Sequence, residues 1–155
     1  MGYSSKILTP LIQSEVDEIF EVVESITGVS RKMLVSTNRK RFIVDARKIF
    51  VCVLRNHMKL TCFQIGGIIG KDHSSIVHYD RMHKVHMIEK EYRRMYSAVS
   101  GTYLIYKSVQ DEERLREQFT SLQERTKSLL TALQGQQTKL GITIDDAINI
   151  NDNTN

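Results

Sequence analysis

Ser74, His78, Arg81 and Lys84 recur at spacings of four, three and three, which puts them on one face of a helix. That face holds no apolar residue and no acid. Its first turn combines hydrogen-bonding side chains with the positive end of a helix dipole, as a recognition helix does in a major groove. Upstream, residues 30–60 carry nine Lys or Arg and one acid, Asp45, a net charge of +8 in 31 residues. Such density is the electrostatic footprint of a phosphate-binding surface. A basic face that only keeps the chain soluble is the bland alternative. The flanks differ: residues 1–29 have net −4, residues 61–99 net +2 and residues 100–155 net −2.

Other chemistries find less support. No nucleophile–base pair or paired carboxylates stand out. Gly70-Lys71 is a false lead for a nucleotide loop, because a Walker A motif needs Gly in place of Ile65 and Ser or Thr in place of Asp72. No cofactor or nucleotide is therefore expected. Of His73, His78, His83 and His86, only the last two have good one-face spacing, so no metal site is expected. Cys52 and Cys62 sit in apolar helical contexts and read as buried free thiols of a reducing compartment. No run of 18 apolar residues exists, and residues 1–10 lack a signal-peptide core, so the expected location is the cytoplasm, with the nucleoid.

The elements that must position these residues are helical. Ser14 reads as an N-cap, with Val16, Ile19, Phe20, Val23 and Ile26 on one face and Gly28 as the stop. Ser30 caps a short helix through Leu34. Residues 36–41 read as a polar, basic loop. A longer helix follows, with Ile43, Ala46, Ile49, Phe50, Val53 and Leu54 on one side and Arg47, Lys48 and Arg55 off it. Thr61-Cys62-Phe63-Gln64 is a capping box that opens a short helix carrying Phe63, Ile65, Ile68 and Ile69. Gly70 closes it and Asp72 caps the next helix, which is a helix-turn-helix pattern. From His73 one helix is expected onward, with a seam at Met82, Val85, Ile88, Tyr92, Met95 and Val99. After Ser100-Gly101, Leu115, Phe119, Leu122, Thr126, Leu129 and Leu133 follow spacings of 4, 3, 4, 3 and 4, an a/d seam of fewer than three heptads. This helix either pairs two copies into a homodimer or folds back onto the domain. Residues 135–155 are polar and read as a disordered tail, with Ile142, Ile144, Ile148 and Ile150 able to dock on a partner.

The segments Val29-Ser30, Leu34-Val35-Ser36, Arg39 to Lys48 and Ile65-Gly66, and above all Gly70-Lys71-Asp72-His73-Ser74-Ser75-Ile76-Val77-His78, resemble the C-terminal DNA-binding domain of the bacterial replication initiator DnaA. The last segment is similar to that family's signature, GGRDHTTVLHA. The resemblance covers about residues 19–96. It implies a helical domain that binds double-stranded DNA with the signature in the major groove. Carried over, Asp72, His73, Ser74 and His78 meet base edges. Asp accepts from a cytosine amino group, while His and Ser donate or accept. The plain alternatives are a pure cap for Asp72 and ordinary helix surface or core for His73 and His78. Arg39, Lys40, Arg41, Arg47, Lys48, Lys71, Ser75 and Arg81 are the expected backbone contacts, which position a protein without reading sequence.

Three departures from the family pattern imply a different target site. Asp45 stands where the family often has a minor-groove arginine, which leaves that contact to Arg41 or Arg47. Ser74 and Ser75 replace threonines and lose the methyl that packs on thymine. One glycine before the signature is missing.

The expected fold is all-α: a small helical domain with a helix-turn-helix, followed by a long C-terminal helix. Its parts are an N-terminal segment at 1–13, the DNA-binding domain at 14–100, a helical extension at 101–134 and the tail at 135–155. The expected function is sequence-specific binding of double-stranded DNA, without enzymatic activity, in replication control or transcription of a bacterium or phage. The rival is a structural or assembly protein that works through its C-terminal helix, with residual DNA binding.

Overall fold

A computed structural model describes residues 8–140, and among them the chain is all-α. The helices are α1 (Pro10–Thr27), α2 (Arg31–Val35), α3 (Arg41–Asn56), α4 (Cys62–Ile69), α5 (His73–His86) and α6 (Lys90–Leu140). They divide into two compact units, one ending at Lys107 and one beginning at Ser108.

The first unit is built around α3. From Ile43 to Leu54 every residue except Val44 is buried. The sequence suggests a one-sided apolar stripe, but α1, α2, α4 and α5 all pack on this helix. A helix covered on all sides needs apolar residues, or internally satisfied polar ones, all round. Phe50 stacks on Phe20 of α1 with ring centroids 4.2 Å apart. Ile65 and Ile69 of α4 and Ile76 of α5 close the core from the other side.

Local signals fix most helix ends. Ser30 caps α2, and Thr61 and Gln64 cap α4 reciprocally as their spacing requires. Gly28 and Gly70 adopt the left-handed conformation, at φ 70° and 64°, and end α1 and α4. The start of α1 differs from expectation. Thr9 is its N-cap and Pro10 occupies the first turn, so Ser14 is interior. Proline lacks only an N–H that the first turn leaves unpaired anyway, so the helix extends back to it.

The corner between α4 and α5 depends on Gly66. A Cβ there would lie 2.5 Å from the Lys71 carbonyl oxygen, and the Lys71 N–H donates to the Gly66 carbonyl at 2.9 Å. Any larger side chain would push the turn away from α4. Three residues, Gly70, Lys71 and Asp72, then suffice to connect the two helices.

The single helix expected from His73 through Val99 is two. Between α5 and α6 the Ile88 and Glu89 N–H groups donate to Val85 and His86, three residues back, and Arg93 reaches the Met87 carbonyl at 3.3 Å. Val85 and Ile88 are consequently exposed instead of lining a seam. The reorientation lets Tyr92, Val99 and Tyr103 reach the core. No Gly or Pro marks this break, so nothing local announces it.

The boundary expected at residues 100–101 falls inside a helix. α6 runs through Ser100 and Gly101, and Glu15 of α1 accepts from Tyr103 at 3.3 Å and from Lys107 at 2.8 Å. Among the described residues, α1 thus begins ahead of residue 14 and the first compact unit runs on to Lys107. In the second unit, residues 108–140 are helical throughout and exposed. Residues 135–140 thus belong to a helix and not to a tail. Residues 1–7 and 141–155, with the four isoleucines from Ile142 to Ile150, lie outside the described residues.

Candidate nucleic-acid interface

Asp72 organises the first turn of α5. Its Oδ1 accepts from the Ser75 N–H at 2.8 Å and from the Ser74 hydroxyl at 2.6 Å. The Ser74 bond, then those of Ser75, hold the carboxyl at about 2, well below its ordinary range. Asp72 is therefore a fixed anion at neutral pH. It is a cap and an exposed acceptor at once.

His73 is exposed, and its ring stacks on Phe63 with centroids 4.7 Å apart and planes 19° apart. Phe63 is itself 56% exposed. The sequence reading missed it by grouping it with the core residues of α4. The available signal was spacing, since Phe63 lies off the face shared by Ile65 and Ile69.

Ser74, Ser75 and His78 on α5 line a groove of about 500 Å³ together with Lys71, Arg39, Arg47 and Thr37. The groove thus joins the start of α5 to the basic loop. Thr37 and Tyr79, also on its wall, are further residues the sequence reading passed over. Arg81 and Lys84 continue the outer face of α5 and are exposed. Asp80 faces inward, with the Cys52 thiol 3.8 Å away, so it does not offset that face. Burial pushes the Cys52 thiol up, with the Asp80 charge adding to the shift.

The basic stretch divides in two. Arg39 and Lys40 are exposed, and among the described residues neither is paired with a carboxylate. Arg47 is buried instead. Its Nε donates to the Leu34 carbonyl at 2.6 Å and its Nη1 to Asn38 at 2.5 Å; its Nη2 donates to Ser36 at 2.6 Å and to Met33 at 3.0 Å. A planar guanidinium with several donors can tie down carbonyls that point at one another from a short helix and a loop. Lys71 reinforces this with a 2.9 Å bond to the Ser36 carbonyl.

Arg47 and Lys48, both expected as backbone contacts, are thus buried among protein partners, although Arg47 also lines the groove. Lys48 is buried, 2.9 Å from Asp45 and 6.0 Å from the centre of the Tyr92 ring. Asp45 is buried with it and also lies 3.7 Å from Arg41. Arg41 is exposed but pairs with Glu89 at the α5–α6 corner, away from the groove. The acid that departs from the family pattern is thus internally neutralised.

Behind α5 the His83 ring shares a 2.8 Å hydrogen bond with the Tyr92 hydroxyl. Burial lowers the His83 pKa, so the ring is neutral there. His86 meets Glu89 at 3.0 Å. Among the described residues no three His, Cys, Asp or Glu side chains gather as a metal ion requires, and no helix is long and apolar enough to cross a membrane.

Residues 16–82 match the family described as the bacterial DnaA protein helix-turn-helix. Two chromosomal replication initiator DnaA proteins are similar to part of this chain. The protein of Kosmotoga olearia is 34% identical over 64 residues, and that of Thermotoga petrophila is 32% identical over 62. These matches span 41% and 40% of this chain and 14% of each relative, so the chain covers about a seventh of the length of these curated proteins.

Proposed function

Given that residues 16–82 form a helix-turn-helix domain of the DnaA type, a DNA-binding module, we propose that this chain recognises a specific double-stranded DNA sequence through the start of α5. Asp72, His73, Ser74 and His78 read base edges in the major groove. Arg39, on the groove wall, and its exposed neighbour Lys40 hold phosphates, helped by Lys71, Ser75 and Arg81. The carrying observation is the juxtaposition itself. Ser74, Ser75 and His78 share one groove with Arg39, which is exposed and, among the described residues, in no ion pair, and its chain neighbour Lys40 is exposed as well. Arg41 contributes long-range attraction from its corner.

The reading includes a target unlike the standard initiator box. Serines replace the family's threonines at Ser74 and Ser75, and the Ser74 hydroxyl is held by Asp72. The role that follows is site recognition on a bacterial or phage chromosome, in replication control or transcription, within the cytoplasm and without catalysis.

Selection from random-sequence duplexes, followed by gel shift, tests this. An enriched motif is the expected result. Salt-sensitive binding with no preference would reject base reading and leave only phosphate contacts. No binding at all would favour the rival role, assembly through the helix after residue 107.

A further inference from the structure

We propose that residues 115–140 pair with a second copy of this chain as a parallel, in-register, two-stranded coiled coil. The inference rests on the second unit alone and is independent of DNA recognition.

The helix continues to Leu140, so the seam is longer than its sequence signature. Heptad positions a are Phe119, Thr126, Leu133 and Leu140, and positions d are Leu115, Leu122, Leu129 and Gln136, which exceeds three heptads. Its six large apolar side chains are 57–73% exposed. If each buries roughly 100 Å² on pairing, the two chains together bury roughly 1,200 Å², where stable specific interfaces begin.

The sequence also says which partner fits. In a parallel pair each seam residue meets its own copy, so Thr126 faces Thr126, Gln136 faces Gln136 and Phe119 faces Phe119. The Thr126 hydroxyl already donates to the Leu122 carbonyl at 2.9 Å, which leaves its methyl for the seam. An antiparallel pair overlapping over the same residues would set Thr126 against Leu129 and Gln136 against Phe119. Each polar group would then lie on an apolar one.

Flanking charges agree. In the parallel pair Asp111 lies beside Arg116 of the second copy, and Gln118 beside Gln123 of that copy. The remaining flanking pairs place Arg125 by Leu130 and Ala132 by Gln137, so no like charges meet. The antiparallel overlap offers no opposite-charge pair. Glu112, at the next position a, is bonded to Arg116 at 2.7 Å and ends the seam on that side.

Sedimentation equilibrium of the full chain should give twice the 17.9 kDa chain mass. Leu122→Glu with Leu129→Glu should give the single-chain mass, with the thermal melt of the first unit unchanged because both sites are exposed. Thr126→Cys, oxidised, should cross-link to a covalent dimer that the unaltered chain does not form. A single-chain or trimeric mass for the unaltered chain overturns the proposal. So does a dimer that survives both glutamates, or one in which Thr126→Cys fails to cross-link. Gel shift on a single site, run on the same samples, reports DNA binding separately, so the two readings fail independently.

Discussion

Arg39 and Lys40 differ little in chemistry from Arg47 and Lys48, and only a few residues separate the pairs in the chain. Their surroundings are opposite. The first pair stands exposed, with Arg39 on the wall of the groove. The second is buried on α3, with Arg47 bonded to loop carbonyls and Lys48 paired with Asp45. The difference teaches that a count of positive charges measures a mixture. Some cations stand in solvent, and others hold the loop that presents the first kind. The second kind makes the first possible, because an unanchored loop would have to lose conformational freedom on binding.

Substitutions that break this division should differ most in what they report. The largest effect is expected from Arg47→Ala. It strips a buried cluster of carbonyls of charged donors and should cost about 3 kcal/mol or more in urea unfolding. Arg47→Lys should recover only part, because an ammonium cannot replace a planar fork. Near-native stability for Arg47→Ala would collapse the distinction between the two pairs.

Next comes His73→Ala. It should cost about 1–3 kcal/mol on the preferred duplex and much less on unrelated DNA, as measured by paired titrations. The exposed stack on Phe63 predicts a partner effect. Phe63→Ala, by freeing the His73 ring, should weaken the preferred site in the same direction. Equal loss on both duplexes would assign His73 to the DNA backbone.

Replacing Arg39 and Lys40 together by Ala should leave stability within about 0.5 kcal/mol, as for ordinary surface sites. Affinity should fall for all sequences alike. The slope of log K against log salt should flatten by about two units. An unchanged slope would remove both residues from the phosphate set.

The smallest effect concerns acid. Asp72 has its pKa lowered from 3.8 to about 2 in the folded chain, chiefly by the Ser74 hydroxyl. A lowered folded value gives stability that is present above the unfolded pKa and lost as pH falls through the folded one. Thermal melts from pH 5 to pH 2 should therefore show a steeper loss for the unaltered chain than for Asp72→Asn, which does not titrate. Parallel curves would mean that the cap contributes nothing through its charge.

The sequence alone determined the helical class, the glycine stops, the capping box and the α4–α5 corner, because these depend on residues within one or two turns of each other. It also located the first turn of α5 and, through that stretch, the likeness of residues 16–82 to the bacterial DnaA helix-turn-helix. It did not separate Arg47 from Arg39, find the break near Ile88 or distinguish Phe63 from its core neighbours. It placed a boundary at Gly101 where the helix continues, because one glycine costs a helix only about 1 kcal/mol. Packing between Tyr103 and Glu15, residues distant in the chain, sets that region. Each of these decisions belongs to the tertiary structure for one physical reason. Whether a charge meets water or a ring of carbonyls, and whether a ring is core or platform, depends on which distant segments cover it.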